Sequence, residues 1–184
     1  MLKLHTIIAS TRPGRVGLPV AQWFHGFAKS QNLFDAELVD LADFNLPVYD
    51  EPMHPRMQKY QHEHTKRWAA SVAAADAYVF VMPEYNFGPT PALVNALNYL
   101  YLEWNYKPAA FVSYGGVSGG LRSTQAIKPL ITTLKMVPVL EQVMVPMVSL
   151  TDGVFVAQEI HETSAVAMLQ ELKRWAEALK PMRG

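Results

Sequence analysis

Two nearly unbroken apolar runs constrain this chain most: Ala77-Tyr78-Val79-Phe80-Val81-Met82 and Ala109-Ala110-Phe111-Val112-Ser113-Tyr114. A strand with one wet face alternates apolar and polar residues. A continuous run belongs to a strand covered on both faces, as in a parallel sheet between layers of helix. The first run is stopped by Pro83 and the second by Gly115-Gly116. Around them, shorter apolar runs at Leu4–Ala9, Glu37–Leu41 and Val137–Val148 alternate with helical spacing, the last run interrupted by Pro138 and Pro146. Helices are predicted over Leu18–Lys29, Lys59–Ala75, Pro91 to about Tyr101, Leu121–Leu134 and His161–Leu179. The first turns on Val20, Trp23, Phe24 and Phe27, the last on Val166, Leu169, Leu172, Trp175, Ala176 and Leu179. Strands alternating with helices predict an α/β fold of three layers, and right-handed crossovers favour a five-stranded parallel sheet of order 2-1-3-4-5. The proline-rich stretch Leu46–Pro55 is predicted to be irregular.

Composition narrows the classes of function. A length of 184 residues predicts one domain over 1–184. Half of the residues are hydrophobic and only 17% are charged, which excludes a disordered chain. The chain has no cysteine, so disulfides, cysteine-bound zinc and thiol catalysis drop out. Sixteen basic residues balance sixteen acidic ones, and a nucleic-acid surface would show a basic excess. No apolar run approaches the roughly 18 residues of a membrane helix, and the N-terminal apolar stretch is too short for a secretory signal. The expectation is a cytoplasmic protein with no nucleic-acid partner and no membrane insertion.

In the predicted topology the loops after strands 1, 3 and 4 open at one edge of the sheet, where ligands of such sheets bind. The first, Ser10-Thr11-Arg12-Pro13-Gly14-Arg15-Val16-Gly17, offers hydroxyls, two guanidiniums and the N–H groups of a helix start. These suit a phosphate, although a polar turn with solvated arginines would look the same. The Gly-Lys-Ser/Thr ending of a P-loop is missing, as is the G-x-G-x-x-G fingerprint, which points to a phosphate monoester. The second loop, from Pro83 to Pro91, is stiffened by prolines, so Tyr85 and Phe87 form either a wall for a flat ring or ordinary packed aromatics. The third, from Ser113 to Gly120, spends four glycines and brings backbone close to a ligand, or is only a flexible connection. Together they suggest a mononucleotide with a planar ring, and flavin mononucleotide (FMN) meets all three demands.

Other candidates are weaker. His62-Glu63-His64 is not HExxH, and alternate residues on a helix diverge, so it reads as a solvated face; no metal is predicted. His5, His25, His54 and His161 are scattered and read as structural or surface residues. The apolar helix around Tyr99-Leu100-Tyr101-Leu102 and Trp104 suggests a second buried face at a homodimer contact, with core packing as the alternative. A receiver domain shares the topology but needs an aspartate at the end of strand 3, where Pro83-Glu84 stands.

Across nearly its whole length the chain resembles the NADPH-dependent FMN reductase family, the flavodoxin-like group that includes quinone, azo-dye and chromate reductases. The resemblance is carried by Pro83-Glu84-Tyr85-Asn86, by Leu93-Val94-Asn95-Ala96-Leu97-Asn98-Tyr99, by Ser10-x-Arg12, and by Ser113-Tyr114-Gly115-Gly116 with Gly119-Gly120-x-Arg122. It implies that Ser10, Arg12, Arg15, Val16 and Gly17 hold the FMN phosphate. Pro83, Glu84, Tyr85, Asn86 and Phe87 would line the isoalloxazine, and Ser113, Tyr114, Gly115 and Gly116 its pyrimidine side. Many members carry serine and asparagine where Arg15 and Gly17 stand, and lysine and aspartate where Val94 and Asn98 stand. The activity implied is ping-pong hydride transfer from NADPH or NADH through FMN to a small-molecule acceptor. The flavin carries the chemistry, no side chain is assigned as catalytic, and the protein is a homodimer or homotetramer. The alternative is a non-enzymatic electron carrier like flavodoxin, although such carriers are usually strongly acidic.

Overall fold

A computed structural model of the chain describes residues 1–183. Five strands, β1 (Lys3–Ile8), β2 (Asp35–Asp40), β3 (Ala77–Pro83), β4 (Pro108–Tyr114) and β5 (Val137–Val145), form one sheet in the order β2-β1-β3-β4-β5. Every neighbouring pair is parallel. Helices α1 (Gly17–Ser30), α2 (Glu63–Ala74), α3 (Pro91–Asn98), α4 (Leu121–Thr133) and α5 (Glu159–Leu179) cover its two faces. The flavodoxin-like order expected from the sequence is the order observed.

The two continuous apolar runs are the two innermost strands, and every residue of β3 and β4 is buried. Alternation sends their side chains into two separate cores. Val79, Val81, Ala110 and Val112 pack with Val20 and Phe24 of α1 and with Met168 and Leu172 of α5. Tyr78, Phe80, Met82 and Phe111 pack with Trp68 of α2, Leu93 and Leu97 of α3, and Ile127 and Ile131 of α4. Strand β5 lies at an edge, where the register shifts opposite Ala109/Phe111, next to Pro138. That is a position in which a strand tolerates proline.

Several boundaries and faces differ from expectation. Helix α2 starts at Glu63, not Lys59, because the Glu51 carboxylate accepts the amides of Gln61 (2.8 Å) and His62 (3.0 Å) just before it. Helix α3 ends at Asn98, and the chain turns through a 3-10 helix at Leu102–Trp104. Tyr99, Leu100 and Trp104 are fully buried in the same chain. The core thus takes three of the five residues read as a dimer face, while Tyr101 is half-buried and Leu102 is 40% exposed. In α5 the buried stripe runs through Ala165, Met168, Leu169, Leu172, Ala176 and Leu179, while Trp175 is 39% exposed.

Candidate functional site

Parallel strands bring the ends of β1, β3 and β4 to one edge, and the three loops open there together. Ser10, fully buried, follows β1; its hydroxyl lies 2.9 Å from that of Tyr85 in the second loop. Arg12 is exposed, its guanidinium 5.9 Å from the centre of the Tyr85 ring. Arg15 points the other way and pairs with Asp40 at the end of β2, both largely buried. Its Nε–H is buried without an acceptor. Helix α1 follows with Val16 at its N-cap, no side chain capping that residue's end of the helix and no acidic residue in its first turn. Gly17 is the first helical residue, and a Cβ there would overlap the Tyr114 hydroxyl. Burial, then the neighbouring Tyr85, push the Tyr114 phenol above its ordinary value, partly offset by Ser10 and the Arg12 and Arg15 charges, so Tyr114 is a neutral donor.

The second loop is a two-residue hairpin. Tyr85 and Gly88 exchange backbone hydrogen bonds of 2.9 Å in both directions. Between them Asn86 (φ +47°) and Phe87 (φ +69°) are both left-handed, the signature of a type I′ turn. Asparagine accepts that region readily, whereas for a bulky ring it is an outlier worth about 1–3 kcal/mol of strain. The Phe87 ring is 66% exposed. Glu84, just before the turn, accepts from the Ser118 hydroxyl (2.7 Å), the Arg122 amide (3.2 Å) and the Arg122 Nε–H (2.6 Å). Burial works to raise its carboxyl, but these bonds and the Arg122 charge hold it below the ordinary value. The loop ends at Thr90, whose hydroxyl donates to the Ala9 carbonyl (2.6 Å) and caps α3 at Leu93 (3.2 Å).

The third loop is pinned, not loose. Gly116 O accepts from Gly119 (3.1 Å) and Met147 (3.0 Å), and Gly115 O from Val148 (3.2 Å). Ser113 is fully buried and its hydroxyl donates inward to Gly119 O (2.8 Å), so it shapes the loop from within. Pro83 is likewise buried, its carbonyl accepting from Ser123 (3.1 Å). At this edge Arg12, Asn86, Phe87 and Gly116 are exposed and Tyr85 and Gly115 half-buried, while Ser113 and Pro83 are buried beneath them.

Beside these loops a cleft of about 1140 Å³ runs along α3, lined among others by Thr11, Val48, Tyr49, Pro91, Asn95 and Tyr101. Its outer wall is the irregular stretch after β2, and Asn95 holds it. The Asn95 amide donates to Pro47 O (2.6 Å) while its oxygen accepts the Tyr49 N–H (3.0 Å). His62, Glu63 and His64 remain partly or largely exposed, and the two imidazoles are ordered there: their rings stack 5.2 Å apart, and His64 bonds Asp50 at 3.0 Å. Tyr99 bonds the same carboxylate at 2.9 Å. Among the described residues no group of three or more His, Asp or Glu side chains is arranged to hold a metal ion. Sequence reading missed Asp40 as the partner of Arg15 and Asn95 as the support of the cleft wall. The one signal for Asn95 was its place in the Leu93–Tyr99 motif.

A parallel β2-β1-β3-β4-β5 sheet with a cation-bearing first loop, an aromatic hairpin and a glycine loop at its carboxyl edge defines a flavodoxin-like protein. Among solved structures it is similar to FerB, a flavoenzyme NAD(P)H:acceptor oxidoreductase from Paracoccus denitrificans. The two share a TM-score of 0.75 at 18% identity, over 97% of this chain and 98% of that one. The family model described as NADPH-dependent FMN reductase matches residues 2–149. An NAD(P)H-dependent FMN reductase from a Nectria species is 41% identical over 98% of this chain and 90% of its own length. One from Schizosaccharomyces pombe is also 41% identical, over 83% of this chain and 78% of its own. A quinone reductase from Pseudomonas putida is 31% identical over 54% of each chain. The chain belongs to the NADPH-dependent FMN reductase family and is an oxidoreductase of that kind.

Proposed function

We propose that this protein binds FMN between its three loops and reduces a small-molecule acceptor with electrons from NADPH or NADH. The reading rests above all on one observation: a buried, unpaired Arg15 Nε–H beside an α1 start that no side chain caps. Donors buried without acceptors are rare, and an anion bound here would give both their partner. The rest of the loop fits the same group, since Arg12 supplies an exposed charge and Gly17 leaves room for Tyr114 over the helix start.

In this reading Ser10, Arg12, Arg15, Val16 and Gly17 hold the phosphate. Arg12 provides the net charge, because Asp40 already neutralises Arg15. Pro83, Glu84, Tyr85, Asn86 and Phe87 line the ring, with Asn86 and Phe87 offering backbone N–H groups. Ser113, Tyr114, Gly115 and Gly116 form the floor on the pyrimidine side. Bound FMN would supply the chemistry, two-electron transfer between the nicotinamide and the acceptor. The chain's own work is to bind, orient and keep one ring face open, so nicotinamide and acceptor use that face in turn, in ping-pong order. The acceptor is a quinone, a free flavin, an azo compound or a metal oxyanion. The protein acts in the cytoplasm as a homodimer or homotetramer.

The test is an absorption spectrum after FMN addition and desalting, on wild type and Arg12→Ala. A hydrogen bond to a charged group contributes roughly 1.5–3 kcal/mol, so the variant should bind FMN about 10- to 100-fold more weakly. A titration that finds no FMN binding by wild type overturns the reading. Oxidation of NADPH or NADH by the loaded protein, with an acceptor present, separates an enzyme from a flavodoxin-like carrier, which would show none.

A further inference from the structure

Arg122 opens helix α4, yet its side chain serves another loop. Its guanidinium carbon lies 3.6 Å from the centre of the Phe87 ring, a face-on stack. The same guanidinium is fixed from behind: Nε donates to Glu84 Oε1 at 2.6 Å, and Nη2 lies 2.6 Å from that oxygen. The other oxygen, Oε2, takes the Ser118 hydroxyl and the Arg122 amide. One carboxylate thus joins the exit of β3, the glycine loop and the start of α4, and the fork it orients lies against Phe87.

Phe87 has reason to need this. A bulky residue persists at φ +69° only where its surroundings over-determine it. The two Tyr85–Gly88 backbone bonds close the turn, but the exposed ring has no core to hold it. We infer that Arg122 is the positioning residue that holds the Asn86–Phe87 turn left-handed and so presents both amides to a ring bound between the loops. The clamp is a property of the chain alone; its consequence for a ligand rests on the FMN reading above. A planar, forked cation is required, because lysine has neither the plane to stack nor donors fixed in a rigid fork to stay oriented.

The experiment uses wild type, Arg122→Ala, Arg122→Lys, Phe87→Gly and the double variant Arg122→Ala/Phe87→Gly. Two quantities are measured: amide hydrogen exchange at residues 85 and 88, whose N–H groups close the turn, and the FMN dissociation constant. Loss of the clamp should speed exchange in Arg122→Ala and weaken FMN binding about three- to tenfold, the scale of one lost immobilised contact. Arg122→Lys should behave like Arg122→Ala. Glycine adopts positive φ without strain, so in the Phe87→Gly background removal of Arg122 should change FMN binding little. Unchanged exchange in Arg122→Ala overturns the clamp. An equal loss of affinity in both backgrounds also overturns it, by showing that Arg122 acts on the ligand directly. Absence of FMN binding by wild type sinks the reductase reading instead, while the exchange data still decide the clamp.

Discussion

Gly120 adopts φ +82° at the start of α4, and a Cβ there would sit 2.8 Å from the Ser113 Cβ and 2.8 Å from the Tyr114 amide nitrogen. Both the backbone conformation and the space demand glycine. Gly116, four residues earlier in the same loop, has nothing within 4 Å of such a Cβ and no positive φ. Gly120→Ala should therefore destabilise the protein by about 2 kcal/mol or more, while Gly116→Ala should stay within about 0.5 kcal/mol, measured by urea unfolding. The sequence shows four glycines in a loop but not which of them are irreplaceable, because that depends on which atoms other strands bring near. The same holds for the two arginines of the first loop. They look alike in sequence, yet Asp40 at the end of β2 claims one and leaves the other exposed.

Among the elements, helix α2 is held at both ends by charge from outside itself. Glu51 accepts the amides of Gln61 and His62, just before its first residue. At the other end the buried Lys107 donates to Val72 O (2.9 Å) and Ala73 O (3.2 Å), a cation on a helix C-terminus, and to the Tyr78 hydroxyl (3.1 Å). Burial, with the Arg183 charge adding to it, depresses the Lys107 ammonium to about 8. An unfolded lysine keeps its proton to about 10.4. Between these values the unfolded chain binds more protons, so this group makes the folded state gain stability as pH rises through that window. Lys107→Met should lose that gain, so the stability difference between wild type and variant should shift in favour of wild type from pH 8 to 10, followed by chemical denaturation. The core elements themselves were legible because their signals are local: β3 and β4 from unbroken apolar runs, α1 from its spacing. The ends were less so. The late start of α2 depends on a carboxylate twelve residues before it, and the early end of α3 depends on Tyr99, Leu100 and Trp104 turning back into the core.

For the whole molecule, a ligand that binds the folded state alone must raise its stability by mass action. FMN at about a hundredfold over its dissociation constant should add about 2.7 kcal/mol, or roughly 5–10 °C in Tm for a chain of this size. Arg12→Ala at the same FMN concentration should show a smaller rise. An unchanged wild-type Tm at saturating FMN would contradict binding between the loops. The linear pattern of residues dictates the class of fold and the sheet order, because burial on both faces and right-handed crossovers leave few alternatives. It also dictates which loops share an edge, since strand direction follows from topology. How those loops are arranged emerges only on folding: Asp40 takes Arg15, Ser113 faces inward, Asn95 holds the cleft wall, and Arg122 stacks on a left-handed Phe87. All but the Ser113 bond, which reaches six residues along its own loop, are contacts between residues 25 or more apart in the chain, fixed by distances that no local pattern encodes.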